Sequence, residues 1–246
     1  MQTEIDTARF QTGLAAAVTQ ILAARLTRMA LALESTSRLT PYPDVEDELS
    51  KLDCDEFYFS ETRPCVPGTL GEGCVRFWHR NAIKPFAVSP PSAMSPGEKL
   101  LVRRLLLHDV CHVLLDLKSD WCGQLGVFCF IASQRYCPEF EWSARRLAQI
   151  YVTAAPWQRD ELAASEADAR RLGLAAPRLL TMPIEREWDT SLVWLRDKLK
   201  IRKMRTLGAI PDDVRAEAPS SSNGGGGVGA RAADDFYVSP EAGETK

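Results

Sequence analysis

Histidine is scarce in this 246-residue sequence: there are three, and two of them stand four residues apart. Excess positive charge is missing as well. With 30 basic against 33 acidic residues, a net charge of -3 and a pI near 5.7, nothing draws the chain toward a phosphate backbone, so nucleic acid is not an expected partner. The seven cysteines, at 54, 65, 74, 111, 122, 129 and 137, lack the paired short spacings of a zinc ribbon. Odd in number and set in hydrophobic sequence, they read as reduced thiols of an intracellular protein. Cys74, Cys111 and Cys129 in particular read as small buried hydrophobes.

A long uninterrupted apolar run is also lacking. Residues 13–33 are Ala/Leu-rich, but Gln20, Arg25 and Arg28 break them too often for a bilayer span. They predict an amphipathic helix packed on the core, with membrane-surface or homodimer contact as the alternative. Residues 1–9 carry Glu4 and Asp6 without a basic cluster, so neither a signal peptide nor a transit peptide is expected. No internal repeat is visible. The expectation is an intracellular protein, soluble or peripherally membrane-associated, with no transmembrane segment.

What is present is enough apolar sequence, 45% of the chain, for one good-sized core. The expected fold is all-α: a single compact helical domain with a disordered C-terminal tail. Residues 35–70 contain Pro41, Pro43, Pro64 and Pro67 and read as a connecting or lid-like region with short helical turns. A short helix is expected over 70–86. Ser95, Pro96 and Glu98 form an N-terminal start signal for a helix running to about 117. Further helices are expected over 123–134, apolar almost all round and therefore buried, and over 140–153 and 160–172. A last helix over 183–201 carries Trp188, Leu192, Trp194 and Leu195 followed by Arg196, Lys198 and Lys200. Beyond Pro211 the Ser/Asn/Gly composition cannot offset its ordering entropy. The chain thus divides into 1–64, an N-terminal helix and irregular segment, 65–211, a helical core, and 212–246, a disordered tail.

His108 and His112 share one face of the expected 96–117 helix, with Asp109 a quarter-turn away. Both imidazoles can converge on one ion or one substrate, and Asp109 can reach the same site or hold a ring nitrogen. The alternative is a pair of satisfied structural histidines on an amphipathic helix. His79 stands alone and reads as structural or solvent-facing.

The stretch Leu107-His108-Asp109-Val110-Cys111-His112-Val113-Leu114-Leu115, followed by Gly123-Gln124, resembles the metal motif of the coenzyme Q protein four family of ubiquinone-biosynthesis proteins. That motif is His-Asp, two residues, His, eleven residues and a Glu preceded by Gly. Here residues 113–123 supply the eleven, Gly123 matches, and Gln124 stands at the Glu position. Upstream, Pro67-Gly68-Thr69-Leu70-Gly71 is similar to a short Gly-Ser-Leu-Gly segment of the family. Downstream, Trp188, Leu192, Arg196, Leu199 and Ile201 are similar to its C-terminal Trp-Leu-Arg-Leu-Ile pattern. The resemblance spans about residues 65–202.

The resemblance implies an all-helical, membrane-associating protein that binds isoprenoid-tailed quinone precursors and uses a divalent, zinc-like metal. It implies either an organiser of the quinone-biosynthetic assembly or a participant in ring decarboxylation and hydroxylation. Carried over by position, His108, Asp109 and His112 are expected as catalytic groups or metal ligands, with Gln124 as the fourth ligand. Arg104 and Gln124 are expected to contact the hydrophobic substrate. An amide at 124 removes a negative charge from the ligand set and weakens its hold on a hard divalent ion. Asp116 or Asp120 is the alternative carboxylate, with solvent exposure as their other state. Without metal, two imidazoles and a carboxylate in an apolar pocket suit proton transfer. Two further functions follow. One is a metal-independent cyclase, of the pericyclase or Diels-Alderase kind, or an isomerase acting on a polyketide or terpenoid in specialised metabolism. The other is a non-catalytic lipid-binding scaffold that recruits pathway enzymes.

Overall fold

The computed structural model describes Thr27 and residues 39–52, 63–84 and 94–201. These belong to one compact unit, Met1–Leu207. The expected helix at 13–33, apart from the helical Thr27, and the expected tail from 212 lie outside the described residues.

The described residues are all-α, with one isolated antiparallel bridge between Thr69 and Ser191 and no strand among them. In the region read as a connection, Pro43 starts helix α1 (Pro43–Ser50), which buries Val45 and Leu49. Arg178 fastens α1 through Asp44 at 2.7 Å and Glu48 at 3.0 Å. Helix α2 (Leu70–Asn81) is capped by the Thr69 hydroxyl, which accepts from the Glu72 N–H. It stops short of 86 because Ala82 turns into the left-handed region, φ 51°, where the Ile83 N–H bonds back to the Trp78 carbonyl.

The Ser95–Glu98 signal forms a full capping box and opens α3 (Pro96–Leu106). The single helix expected to about 117 is divided at Leu107 (φ -91°, ψ 1°), and α4 (His108–Leu115) follows. The hydrophobic period runs on across this break, and the Leu107 N–H still reaches the Arg103 carbonyl, so sequence spacing does not reveal it. Asp116 (φ 58°) ends α4 with the Leu117 N–H on the His112 carbonyl.

Helix α5 (Trp121–Ser133) is buried almost throughout, as its all-round apolar surface requires. It packs most extensively against α7 (Arg159–Ala175) and next against α6 (Pro138–Ala154). No described helix is long and apolar enough to cross a membrane.

The C-terminal segment departs most from expectation. Instead of one helix over 183–201, it forms a 3-10 turn, Ile184–Glu187, and a short α8 (Leu192–Lys198). Trp188 between them is fully buried, lies 6.2 Å from Trp78, and donates to the Pro64 carbonyl. The Trp188, Thr190 and Gly68 carbonyls exchange backbone bonds with Gly71, Leu70 and Leu192, which removes those groups from any helical ladder. Gly71 has to be glycine, since a Cβ there would lie 2.5 Å from the Trp188 ring. The Gly68-Thr69-Leu70-Gly71 motif is therefore the dock for Trp188, which ties α8 to α2.

Candidate active site

Four of the five expected site residues converge, and one turns elsewhere. His108 and His112 project from α4 with their rings edge-on and centroids 5.1 Å apart. Phe77 of α2 stacks on His112 at 5.0 Å, and Phe128 of α5 meets His108 edge-on at 6.0 Å. Arg104, at the end of α3, donates from Nη1 to His108 Nδ1 at 3.1 Å, while its guanidinium lies 4.3 Å over Phe128. The opposite nitrogen of His108, Nε2, is 3.0 Å from Gln124 Oε1, and Gln124 Nε2 donates to Ser119 Oγ at 3.1 Å. All these polar groups are buried among apolar rings.

Asp109 faces the other way. Its Oδ2 accepts the Trp78 indole N–H at 3.0 Å, so the carboxylate braces α4 against α2. Asp116 is exposed at the end of α4, near Arg196, and Asp120 caps α5 by accepting from the Gly123 N–H at 2.8 Å. Neither supplies the missing carboxylate. Gly123 is held by close backbone approach, since a Cβ would lie 1.8 Å from the Lys118 carbonyl oxygen. That tight turn brings Ser119 against the Gln124 amide, whose oxygen meets His108.

These residues, as arranged, do not fit a divalent metal. Among the described residues no group of three or more His, Cys, Asp or Glu side chains is placed to hold one. Asp109 is engaged with Trp78, Gln124 brings no charge, and the Arg104 cation occupies His108 Nδ1. The buried cysteines fit their expected role: burial pushes the Cys111 and Cys129 thiols up to about 12 and Cys74 higher still, so they remain protonated and unreactive. His79 is exposed.

His112 differs from its neighbours. It is fully buried, and neither ring nitrogen makes a hydrogen bond among the described residues. The Gln124 side chain and the Leu117 and Lys118 carbonyls approach it without forming one, and raise its pKa only against the stronger effect of burial. The ring ends at about 4, and His108 also falls well below 6.5, chiefly through burial and then through the facing His112 and Arg104. Both imidazoles are neutral at pH 7.

This sets the direction of a pH effect. The unfolded chain protonates each ring near 6.5 while the folded site resists, so between that pH and about 4 the unfolded state binds more protons. Stability should fall as pH is lowered, by about 1.4 kcal/mol per unit for each ring once the pH is well under 6.5. Urea denaturation at about pH 7.5 and about pH 5.5 measures it, and equal midpoints would contradict the neutral buried pair.

Ser119, Phe77, Trp78 and Phe128 were not expected from sequence. Ser119 has a faint signal, a hydroxyl five residues before Gln124, while the aromatic contacts have none. A cavity of about 510 Å³ lies elsewhere, lined by residues including Gln134, Gly173, Arg178 and Thr181, and none of its lining residues belongs to the histidine site. The Gln134 amide in its wall is already satisfied by Pro177, Tyr136 and Leu179.

A family model described as coenzyme Q (ubiquinone) biosynthesis protein Coq4 matches residues 11–205. Two curated relatives are mitochondrial ubiquinone biosynthesis protein COQ4 homologues. The one from Rattus norvegicus is 26% identical over 164 residues, covering 62% of this chain and 56% of the relative. The one from Homo sapiens is 28% identical over 145 residues, covering 54% and 51%. The chain thus spans about half the length of the curated relatives it matches. A crystal structure of a candidate ubiquinone biosynthesis protein from Nostoc punctiforme PCC 73102 aligns with a TM-score of 0.52 at 17% identity, over 80% of this chain and 95% of that one. At that identity the shared property is the fold.

Proposed function

Because the chain belongs to the coenzyme Q (ubiquinone) biosynthesis protein Coq4 family, we propose that it serves ubiquinone-type biosynthesis by holding a hydrophobic, isoprenoid-tailed ring precursor at the His108–His112 site, where His112 moves a proton. The observation that carries this reading is the buried His112 ring, whose two nitrogens have no hydrogen-bond partner among the described residues. A buried polar group without a partner costs stability, and such groups mark positions where a ligand completes the hydrogen bonding.

The environment also selects the kind of proton transfer. An imidazolium is disfavoured here, so His112 works best by accepting a proton at one nitrogen and releasing one at the other, ending neutral. Loss of a ring carboxylate suits this exchange. The ring hydroxyl gives its proton to His112, and His112 gives its own to the carbon losing CO₂. The C–C bonding pair becomes the new C–H bond, and the product leaves as the phenolate. Arg104 and the aromatic rings position the substrate, and no step depends on a metal.

A second reading is favoured by Gln124 and Arg104 together. The Arg104 guanidinium, set among apolar rings and oriented through the His108–Gln124 chain, is a donor that can polarise a carbonyl without a metal, as a cyclase or isomerase acting on a polyketide or terpenoid requires. Expression of this chain in a strain lacking its own family member separates the two. Restored quinone is expected under the first reading. A folded chain that leaves quinone absent transfers the case to the second, and full restoration by His112→Ala would point instead to a non-catalytic, lipid-binding scaffold.

A further inference from the structure

We infer that Arg104 supplies the positive charge of this site in place of a divalent cation, and that Gln124 is a positioning residue which, together with Arg104, locks His108 in a single tautomer. Arg104 is the one group in the site whose hydrogen-bonding role has no ambiguity. A guanidinium only donates, so the contact of Arg104 Nη1 with His108 Nδ1 at 3.1 Å requires Nδ1 to be the acceptor, with its lone pair directed at the arginine. The neutral ring then carries its proton on Nε2, which must donate. At 3.0 Å it meets Gln124, whose amide must present its oxygen. The amide NH₂ is thereby turned to Ser119, whose hydroxyl oxygen accepts at 3.1 Å. Every orientation in the chain Arg104, His108, Gln124, Ser119 follows from the first link.

All four side chains are buried, with relative exposures of 1, 6, 5 and 4% in that order. In such surroundings a hydrogen-bond chain with one consistent direction is strengthened along its length, and a reversed link would leave two donors or two acceptors facing each other. An amide is the side chain that lets the direction pass through position 124, accepting from the ring and donating to the hydroxyl. A carboxylate there accepts on both sides and donates on neither.

Two consequences follow. Both nitrogens of His108 are engaged, so the ring offers no lone pair to a metal, and the guanidinium already holds a positive charge against Nδ1. Second, within the pair only His112 has nitrogens to offer a substrate. His108 acts through it as a positioning ring, edge-on at 5.1 Å, while Phe77 supports the other side.

This inference concerns the same site as the proposed function but not its substrate, so it is measured on the ligand-free full chain. With ring-15N-histidine labelling, three histidines give few signals, assigned by substituting His79, His108 and His112 one at a time. At neutral pH His108 is expected wholly in the Nε2–H form. Arg104→Met, which keeps an apolar stem but no donor, should divide His108 between both tautomers, and equimolar zinc should leave the wild-type His108 signals in place. An Nδ1–H or doubly protonated His108 in the wild type, a zinc-induced shift of its Nε2, or a folded Arg104→Met protein with the wild-type pattern overturns the inference. Should Arg104→Met not fold, the wild-type and zinc measurements decide alone. The expected tautomer in a chain that fails to restore quinone would sink the substrate reading and leave the lock standing, and the reverse pair of results would do the opposite.

Discussion

Under the proposed proton-transfer role, replacing His112 with leucine is expected to lower quinone formation in the complemented strain by about 100- to 10,000-fold, the range that proton transfer by a positioned side chain contributes, while making the protein more stable. The two effects have opposite signs for one reason. The wild-type ring is buried with two nitrogens that no described residue satisfies, and such a group costs about 1–3 kcal/mol. Leucine is close to histidine in volume, carries no polar atom, and packs on the same face of Phe77, so the penalty disappears without opening a cavity. A gain of about 1–2 kcal/mol is expected in urea denaturation at pH 7. The variant should also show a flatter loss of stability below pH 6.5, because one of the two resisting imidazoles is gone. An inactive variant that is also less stable would assign His112 to packing rather than to chemistry.

The largest expected loss of stability comes from the neighbouring arginine's partner. Arg103 is fully buried, and its Nη1 meets Glu185 Oε2 at 2.7 Å. Its Nε donates to the Leu180 carbonyl at 2.9 Å, and Nη2 reaches the Met182 carbonyl. Glu185→Ala leaves a guanidinium in the core without that carboxylate, and breaking a buried pair from one side costs about 3–5 kcal/mol. The two carbonyls remain, so the lower end of that range is expected. Pairing Arg103→Met with Glu185→Leu should recover most of the loss, since an apolar pair carries no desolvation penalty. Chemical denaturation of the three variants checks this, and a Glu185→Ala loss under about 1 kcal/mol would show that the pair is not the bond that holds the 179–187 segment to α3.

Arg103 and Arg104 show how far local sequence reaches. Both lie in one helical turn of α3, have the same chemistry and are equally buried, yet one anchors a distant loop and the other enters the histidine site. A helical period assigns each to a face but says nothing about what covers that face. Asp109 is the same case. Its place beside His108 made it an expected site residue, but it is turned to Trp78, 31 residues earlier in the chain. The histidine pair itself was legible because a spacing of four on a helix is enough to bring two rings together.

Local signals thus determined the helical class, the capping box at Ser95–Glu98, the burial of α5 and the His108–His112 pair, because each depends on residues within a turn or two of one another. Packing decided the rest. The break at Leu107, the unwinding of 184–191 around Trp188, the Ser119–Gln124–His108–Arg104 chain and the His112 ring that no described residue satisfies all depend on which elements come to lie against one another. Side-chain hydrogen bonds in a buried site are set by direction to within tens of degrees and by distance to a few tenths of an ångström. Sequence spacing specifies neither once the partners stand on different elements.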